Sequence, residues 1–162
     1  MRGQWLADLT WQDAEARRRD GALVVVPVGA AAKAHGPHLP LDTDRTLARA
    51  LAEGVAHELP VLIAPIIDQG WYPAFTGYPG SQSRVRMDRA VREPAHDAPP
   101  TVFRVPVTVR DDPAAGDGHS RTGASGDPTL ASAGKGVAIL GAMVRDLVDG
   151  LRVRHPDAPG VR

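Results

Sequence analysis

The chain alternates between unbroken apolar runs and amphipathic stretches, a pattern typical of strands that are followed by helices. Residues 22–28 and 59–67 are almost continuously apolar, which predicts two strands buried on both faces, as in the middle of a parallel sheet. Between them, residues 44–58 repeat apolar side chains along one helical face. That face consists of Leu47, Leu51 and Val55. A strand, a helix and a strand in this order predict a right-handed βαβ unit with parallel strands.

Two more helices are predicted outside this unit. Thr10 is a hydroxyl cap with an acidic residue three positions later, so a short helix should run through residues 14–19 and stop at Gly21. Near the other end of the chain, Thr129 or Ser132 is placed to cap a last helix. The apolar stripe of that helix is Val137, Leu140, Val144 and Leu147.

The stretch between the second strand and the last helix has little regular pattern. Only residues 102–109 alternate as a strand does, and the proline at position 106 makes them an edge strand at best. We therefore expect a single α/β domain over residues 1–150 in which residues 84–127 are rich in loops. The last helix is expected to end at Gly150 and to leave residues 151–162 as a flexible tail.

Composition narrows the function classes. The 162 residues include 19 basic and 19 acidic side chains, so the formal net charge is zero, which argues against a nucleic-acid or membrane-surface partner. No apolar run approaches the ~20 residues that span a bilayer, and the first ten residues show no secretory signal, so a cytoplasmic location is expected. The absence of cysteine excludes disulfides and thiolate zinc sites, so any metal must be held by His, Asp or Glu.

Candidate chemistry is concentrated in residues 28–44, between the first predicted strand and its helix. The segment follows the carboxyl end of a strand, where open α/β sheets place their ligand sites. It carries two imidazoles and two carboxylates, on His35, His38, Asp42 and Asp44. Nitrogen and oxygen donors of these types suit Zn²⁺ or Mn²⁺, and the helix dipole favours a carboxylate in the first turn of a helix. The same side chains can equally be loop hydrogen-bonding and capping groups with no metal nearby.

Several segments together resemble the creatininase (creatinine amidohydrolase) family. Residues 35–44, His-Gly-Pro-His-Leu-Pro-Leu-Asp-Thr-Asp, are similar to its signature, and residues 25–29 and 6–11 match its usual opening. The Pro-Gly-Ser segment within residues 72–81 and the Gly-Asp-Pro-Thr motif that begins residues 126–136 follow in the family's order. The resemblance implies a three-layer α/β/α sandwich with a mainly parallel sheet. It also implies a homo-oligomer and a metal-dependent hydrolase of cyclic or linear amides that has a two-metal site.

The resemblance assigns metal-ligand roles to His35 and Asp44, but two departures from the family pattern are evident. Lys33 stands where the family usually has a glutamate, so a cation replaces an anionic ligand. The family also carries a later strand that ends in an Asn-Gly-His segment, and a later acidic motif, and neither is found between Ser83 and Val85 here. The chain thus resembles a family core that has lost a central block, and its sheet should be reduced in strand number.

Accessory roles are assigned more loosely. Lys33, His38, Asp68 and His119 are accessory site candidates, although a loop lysine, a turn aspartate or a solvated loop histidine needs no such role. An aromatic cluster consists of Trp71, Tyr72 and Phe75. It is expected either to line a substrate pocket or to pack against a partner subunit. Packing is the more frequent use of such a cluster.

Three hypotheses remain open from the sequence. The first is an amidohydrolase with one or two Zn²⁺ or Mn²⁺ ions, acting on a small-molecule amide. The second is a non-catalytic, shortened family member that keeps the ends of the fold and an oligomer interface. The third is an internally deleted gene product that folds poorly.

Overall fold

The structure, a computed structural model, describes residues 1–69 and 127–161 of the chain. These residues fall into two compact units. The first comprises residues 1–31, 44–68 and 127–161, and the described part of the second is residues 32–43 and 69. The predicted strand over residues 102–109 and most of the predicted loop-rich region lie outside the described residues.

A small parallel sheet forms the centre of the first unit. Its three described strands are β1 (Gln4–Trp5), β2 (Val24–Val25) and β3 (Leu62–Ile63), in the order β1-β3-β2. In the register, Leu62 faces both Gln4 and Val24. The pairing of β2 with β3 extends to a parallel bridge between Val28 and Ile67. The α/β class, the parallel sheet and the reduced strand number are as predicted.

The second apolar run is the buried central strand, whereas the first is not. Val61, Leu62 and Ile63 are at most 1% exposed, because β3 has a neighbour on each side. The prediction that residues 22–28 are buried on both faces is wrong: Val24 and Val26 are about half exposed, at 50% and 51%. β2 is the edge of the described sheet, and a continuous apolar run does not distinguish an edge from a centre.

In residues 1–69 and 127–161, three α-helices accompany the sheet: α1 (Trp11–Arg19), α2 (Thr43–Glu58) and α3 (Ala133–Arg154). Short 3-10 turns precede α1 at Leu6–Asp8 and α3 at Pro128–Leu130. The chain crosses β3 on its way from β1 to β2 and then returns to β3. Because these two crossovers run in opposite directions, right-handed connections would place α1 and α2 on opposite faces of the sheet. None of the helices in the described residues is long and apolar enough to cross a membrane.

The predicted helix caps are largely confirmed. The side chain of Thr10 accepts a hydrogen bond from the N–H of Asp13 at 3.2 Å, and α1 ends before Gly21, whose φ of 80° suits glycine. Ser132, one of the two predicted caps, accepts from the N–H of Lys135 at 3.3 Å. Thr43 is the first residue of α2, and its hydroxyl donates to the Pro40 carbonyl at 2.7 Å.

The end of the chain differs from the expectation. α3 continues through Gly150 to Arg154, so the predicted stop is wrong. A glycine inside a helix costs only about 1 kcal/mol, and the buried Val148 and partly buried Leu151 hold the helix against the core on both sides of it. Val161 is 2% exposed and belongs to the core, so the predicted tail is anchored at this residue, whereas residues 153–157 are exposed.

The core is built by small residues of α2 rather than by its leucines. The buried side chains of this helix are Ala52, Val55 and Ala56, whereas Leu47 is 43% exposed. A Cβ atom on Gly54 would lie 2.5 Å from Cγ2 of Val144 in α3. The two helices therefore approach closely, and the buried face of each is rotated from the predicted stripe.

Gly54→Ala is expected to destabilise the protein, because the added methyl group forces α2 and α3 apart. Overpacking of this kind costs about 1–3 kcal/mol, which lowers the melting temperature by roughly 2–4 °C per kcal/mol in a chain of this length. The matched control is Gly136→Ala in α3, where nothing lies within 4 Å of an added Cβ. The control should raise the melting temperature through helix propensity. A melting temperature unchanged or raised by Gly54→Ala would contradict the close packing of the two helices.

Candidate active site

The loop that carries the candidate chemistry begins at the carboxyl edge of the sheet. The N–H of Gly29 donates to the Ile67 carbonyl at 3.0 Å, and the N–H of Ala31 donates to the Asp68 carbonyl at 2.9 Å. These bonds continue the pairing of β2 with β3 beyond the strands proper. The segment that follows β2 is thus held at the edge of the sheet where ligand sites of α/β folds lie.

Gly29 sets the position of the first turn of α2. A Cβ atom at Gly29 would collide with the carbonyl of Asp44 and lie 2.8 Å from Cβ of Ala48, so only glycine allows this approach. The N–H of Arg45 also donates to the Ala30 carbonyl at 3.3 Å. The backbone at Asp44, a candidate metal ligand, is therefore docked against the end of β2.

Residues 32–43, in the second unit, form a loop with hydrogen bonds between its own residues. The N–H of Lys33 donates to the Leu41 carbonyl at 3.0 Å, and both the N–H and the hydroxyl of Thr43 donate to the Pro40 carbonyl. Gly36 has a φ of 77°, which suits a residue without a side chain. Within this loop His35 is half-buried with its Nε2 atom shielded from solvent, and His38 is exposed.

The two predicted metal ligands are an imidazole and a carboxylate, donor types that fit Zn²⁺ or Mn²⁺. His35 belongs to the second unit, whereas Asp44 belongs to the first, where it is half-buried in the first turn of α2. Residues 1–69 and 127–161 contain no group of three or more His, Asp or Glu side chains that could hold a metal ion. The number of ligands in the described part is thus short of a complete site, and the metal role of both residues stays a prediction.

The accessory candidates have different outcomes. The carboxylate of Asp68 lies 3.4 Å from Nε of Arg45, so this side chain forms an ion pair at the end of β3. Lys33 is half-buried in the loop. His119 and the predicted aromatic cluster (Trp71, Tyr72 and Phe75) lie outside the described residues.

A cleft that the sequence did not reveal lies beyond the carboxyl ends of β1 and β3. We name it the strand-end cleft, and its volume is about 390 Å³. It lies wholly within the first unit. Its polar lining comes from Asp8, Arg45, Arg49 and Asp68, and its apolar lining includes Trp5 and Ile66. The sequence signals for it are the place of Asp68 after a strand and the spacing of two arginines four residues apart, which places both on one side of α2.

The two arginines are each held by a neighbouring carboxylate. Nε of Arg45 faces Asp68, and Nε of Arg49 donates to Glu53 at 2.9 Å. The guanidinium of Arg49 also lies over the ring of Trp5, 5.6 Å from its centroid, within the range of a cation–π interaction. Both arginine side chains remain substantially exposed, which keeps them accessible to a ligand.

The Gly-Asp-Pro-Thr motif is a cap for the turn before α3. The hydroxyl of Thr129 donates to the Asp127 carboxylate at 2.6 Å, and the N–H of Thr129 donates to the same oxygen at 2.9 Å. These two hydrogen bonds, the hydroxyl first, hold the pKa of Asp127 below its ordinary value. In the described residues the motif thus has a structural role.

Residues 7–84, just under half of the chain, match the family model Creatininase, described as creatinine amidohydrolase. The matched range contains the loop, α2 and β3. Over these residues the chain is similar to the creatininase family.

Two curated proteins that are similar to part of this chain are named mycofactocin precursor peptide peptidase. The protein from Mycolicibacterium smegmatis is 39% identical over 67 residues, covering 38% of this chain and 27% of the relative. The protein from Mycobacterium tuberculosis is 43% identical over 51 residues, covering 32% of this chain and 20% of the relative. The matched part therefore spans about a quarter or less of the length of these relatives.

Solved creatininases overlap with part of the chain as well. A creatinine amidohydrolase (creatininase) structure is 29% identical, covers 49% of this chain and 32% of its own, and has a TM-score of 0.45. A structure described as creatininase Mn and a mutant creatininase described as Zn-Zn type are each 28% identical, with TM-scores of 0.45 and 0.44. The first of these covers 50% of this chain and 34% of its own, and the second 49% and 33%.

Thr129→Val is expected to raise the pKa of Asp127 toward its ordinary value, because the hydroxyl that stabilises the carboxylate is lost. A carboxyl whose pKa is lowered by folding stabilises the folded state above its ordinary pKa, and that contribution is lost as pH falls through the lowered value. An NMR titration of the Asp127 carboxyl carbon measures the shift directly. Ser132→Ala removes the neighbouring helix cap and should leave this pKa unchanged; an equal shift in both variants would refute the assignment.

Proposed function

We propose that this protein is a hydrolase of the creatininase type that cleaves an amide C–N bond, with a divalent Zn²⁺ or Mn²⁺ held by His35 and Asp44. The observation that carries the proposal is the placement of the family signature. It follows β2 at the carboxyl edge of a parallel sheet, and Gly29 docks the turn that carries Asp44 against that edge.

The donor chemistry supports this assignment. A neutral imidazole and a carboxylate are the commonest protein ligands of zinc in a chain without cysteine. Asp44 lies in the first turn of α2, at the positive end of the helix dipole. A bound divalent ion would supply an acidified water and a polarised amide carbonyl. The chain's own residues supply the ligands and, in the strand-end cleft, groups that can orient a substrate.

A peptide is the substrate class we favour. The relatives that share 39% to 43% identity with this chain are named for a peptidase activity on a precursor peptide. The mixed polar and apolar lining of the strand-end cleft suits a peptide, which offers both backbone amides and side chains. The same proposal includes a cytoplasmic location and assembly into a homo-oligomer, the state the family resemblance implies.

A second candidate function is a non-catalytic family member. Two observations favour it: Lys33 introduces a cation where the family pattern has a glutamate, and the described residues hold no group of three metal-ligating side chains. This candidate keeps the fold and lacks a bound ion. Metal content therefore separates the two candidates.

Protein purified without chelator should contain near-stoichiometric zinc or manganese, measured by elemental analysis. His35→Ala and Asp44→Asn should each lose most of it, because each removes one ligand. His57→Ala and Asp146→Asn, both exposed and outside the site, should retain the metal content of the unaltered chain. Metal-free protein that takes up neither ion on reconstitution would favour the non-catalytic candidate instead.

Hydrolysis of a peptide amide should depend on the same two residues. We expect kcat/KM to fall by at least about 100-fold in His35→Ala, the size of effect that follows loss of a group needed in the transition state. Removal of the metal with a chelator should abolish turnover, and Zn²⁺ or Mn²⁺ should restore it. The His57→Ala control should keep the full rate; turnover that survives in His35→Ala would exclude this site as its source.

A further inference from the structure

The strand-end cleft has the position and size of a ligand site. Its volume of about 390 Å³ lies within the ~300–1,000 Å³ typical of small-molecule pockets. It opens where β1 and β3 end, and Arg45, which lines it, directly follows Asp44 in the chain. A ligand in the cleft would therefore lie beside the first turn of α2.

Arg45 and Arg49 are arranged to recognise an oxyanion. A guanidinium has five N–H donors in a planar fork, and a contact at Nε uses one of them. Nε of Arg45 faces Asp68, and Nε of Arg49 donates to Glu53. A carboxylate of the protein therefore orients the plane of each guanidinium group from one side. A planar carboxylate is the natural partner for such a fork, because it accepts two parallel hydrogen bonds.

The charge balance of the cleft decides between kinds of anion. Asp8 and Asp68 offset the two arginines, so the lining has no net positive charge for a polyanion such as phosphate. A peptide end offers one carboxylate for the guanidinium groups and an amide N–H for an acidic oxygen such as that of Asp8. Trp5 and Ile66 add an apolar wall against which a terminal side chain can pack.

We infer that the strand-end cleft binds the carboxyl-terminal residue of a peptide, with its free α-carboxylate on Arg45 and Arg49 and its side chain against Trp5. This inference rests on the proposed function, whose peptide substrate it narrows to peptides that carry a free carboxyl end near the cleaved bond. Arg45 and Arg49 are then specificity-determining residues, and Asp68 and Glu53 position them.

The test is a calorimetric binding measurement on the full chain with two probes, N-acetyl-alanyl-phenylalanine and its carboxamide. The free acid should bind at least about tenfold more tightly than the amide, since only the acid offers a charged acceptor. Arg49→Gln should lower the affinity for the acid to about that for the amide. The affinity for the amide should not change. Arg49→Lys keeps the positive charge but lacks the planar fork of N–H donors. Its affinity for the acid should lie between those of the unaltered chain and of Arg49→Gln.

Arg18→Gln is the matched control, because it removes one positive charge from an exposed ion pair with Glu15, on α1. It should leave both affinities unchanged. Equal binding of acid and amide, equal loss in Arg18→Gln, displacement of the acid by equimolar inorganic phosphate, or no binding of either probe at millimolar concentration would each overturn the inference. Because the Arg49 side chain is 61% exposed, its replacement should leave the packing of the core intact. Circular dichroism of the variant checks that the fold is unchanged.

The measurement is made on both chelator-treated and metal-loaded protein, so that it does not depend on turnover. A preference for the free acid without hydrolysis would keep the cleft assignment and refute the proposed activity. Hydrolysis of acid and amide peptides at the same kcat/KM, with no preference in binding, would keep the activity and refute the cleft assignment.

Discussion

The approach of α2 to the end of β2 at Gly29 is the constraint on which the candidate site depends. A side chain at this position would meet the carbonyl of Asp44 and Cβ of Ala48, so the absence of one lets the helix start directly against the sheet. Hydrogen bonds from the backbone on either side of Gly29 tie the same point to β3. The first turn of α2 and the end of β3 thereby share one edge, and Arg45 meets Asp68 across it.

Much of the secondary structure of the first unit follows from local signals in the sequence. Hydroxyl caps and apolar runs are short-range features, and they predicted three helices and two parallel strands. β1 was missed because two residues, Gln4 and Trp5, show no periodicity, and their pairing with β3 comes from a segment almost sixty residues away. The apolar stripes predicted for α2 and α3 are rotated from the faces that these helices bury. Gly54 and its alanine neighbours let the two helices come closer than leucines would.

The candidate site was predictable to a different extent. The loop with His35 and the helix start with Asp44 were found because the motif is contiguous in sequence. The strand-end cleft was not found, because its lining comes from three segments that only the fold brings together. Asp68 was proposed from its place after a strand, which is a local signal, but its pairing with Arg45 is a property of the folded chain.

The half-exposed strand β2 affects how the protein can associate with other chains. The carbonyls of Leu23, Val25 and Pro27 all bond toward β3, so the backbone groups of the alternate residues face the other way. Among the described strands none pairs with that side of β2. A row of outward amides flanked by valines is a template to which another extended segment can add by hydrogen bonding to the backbone.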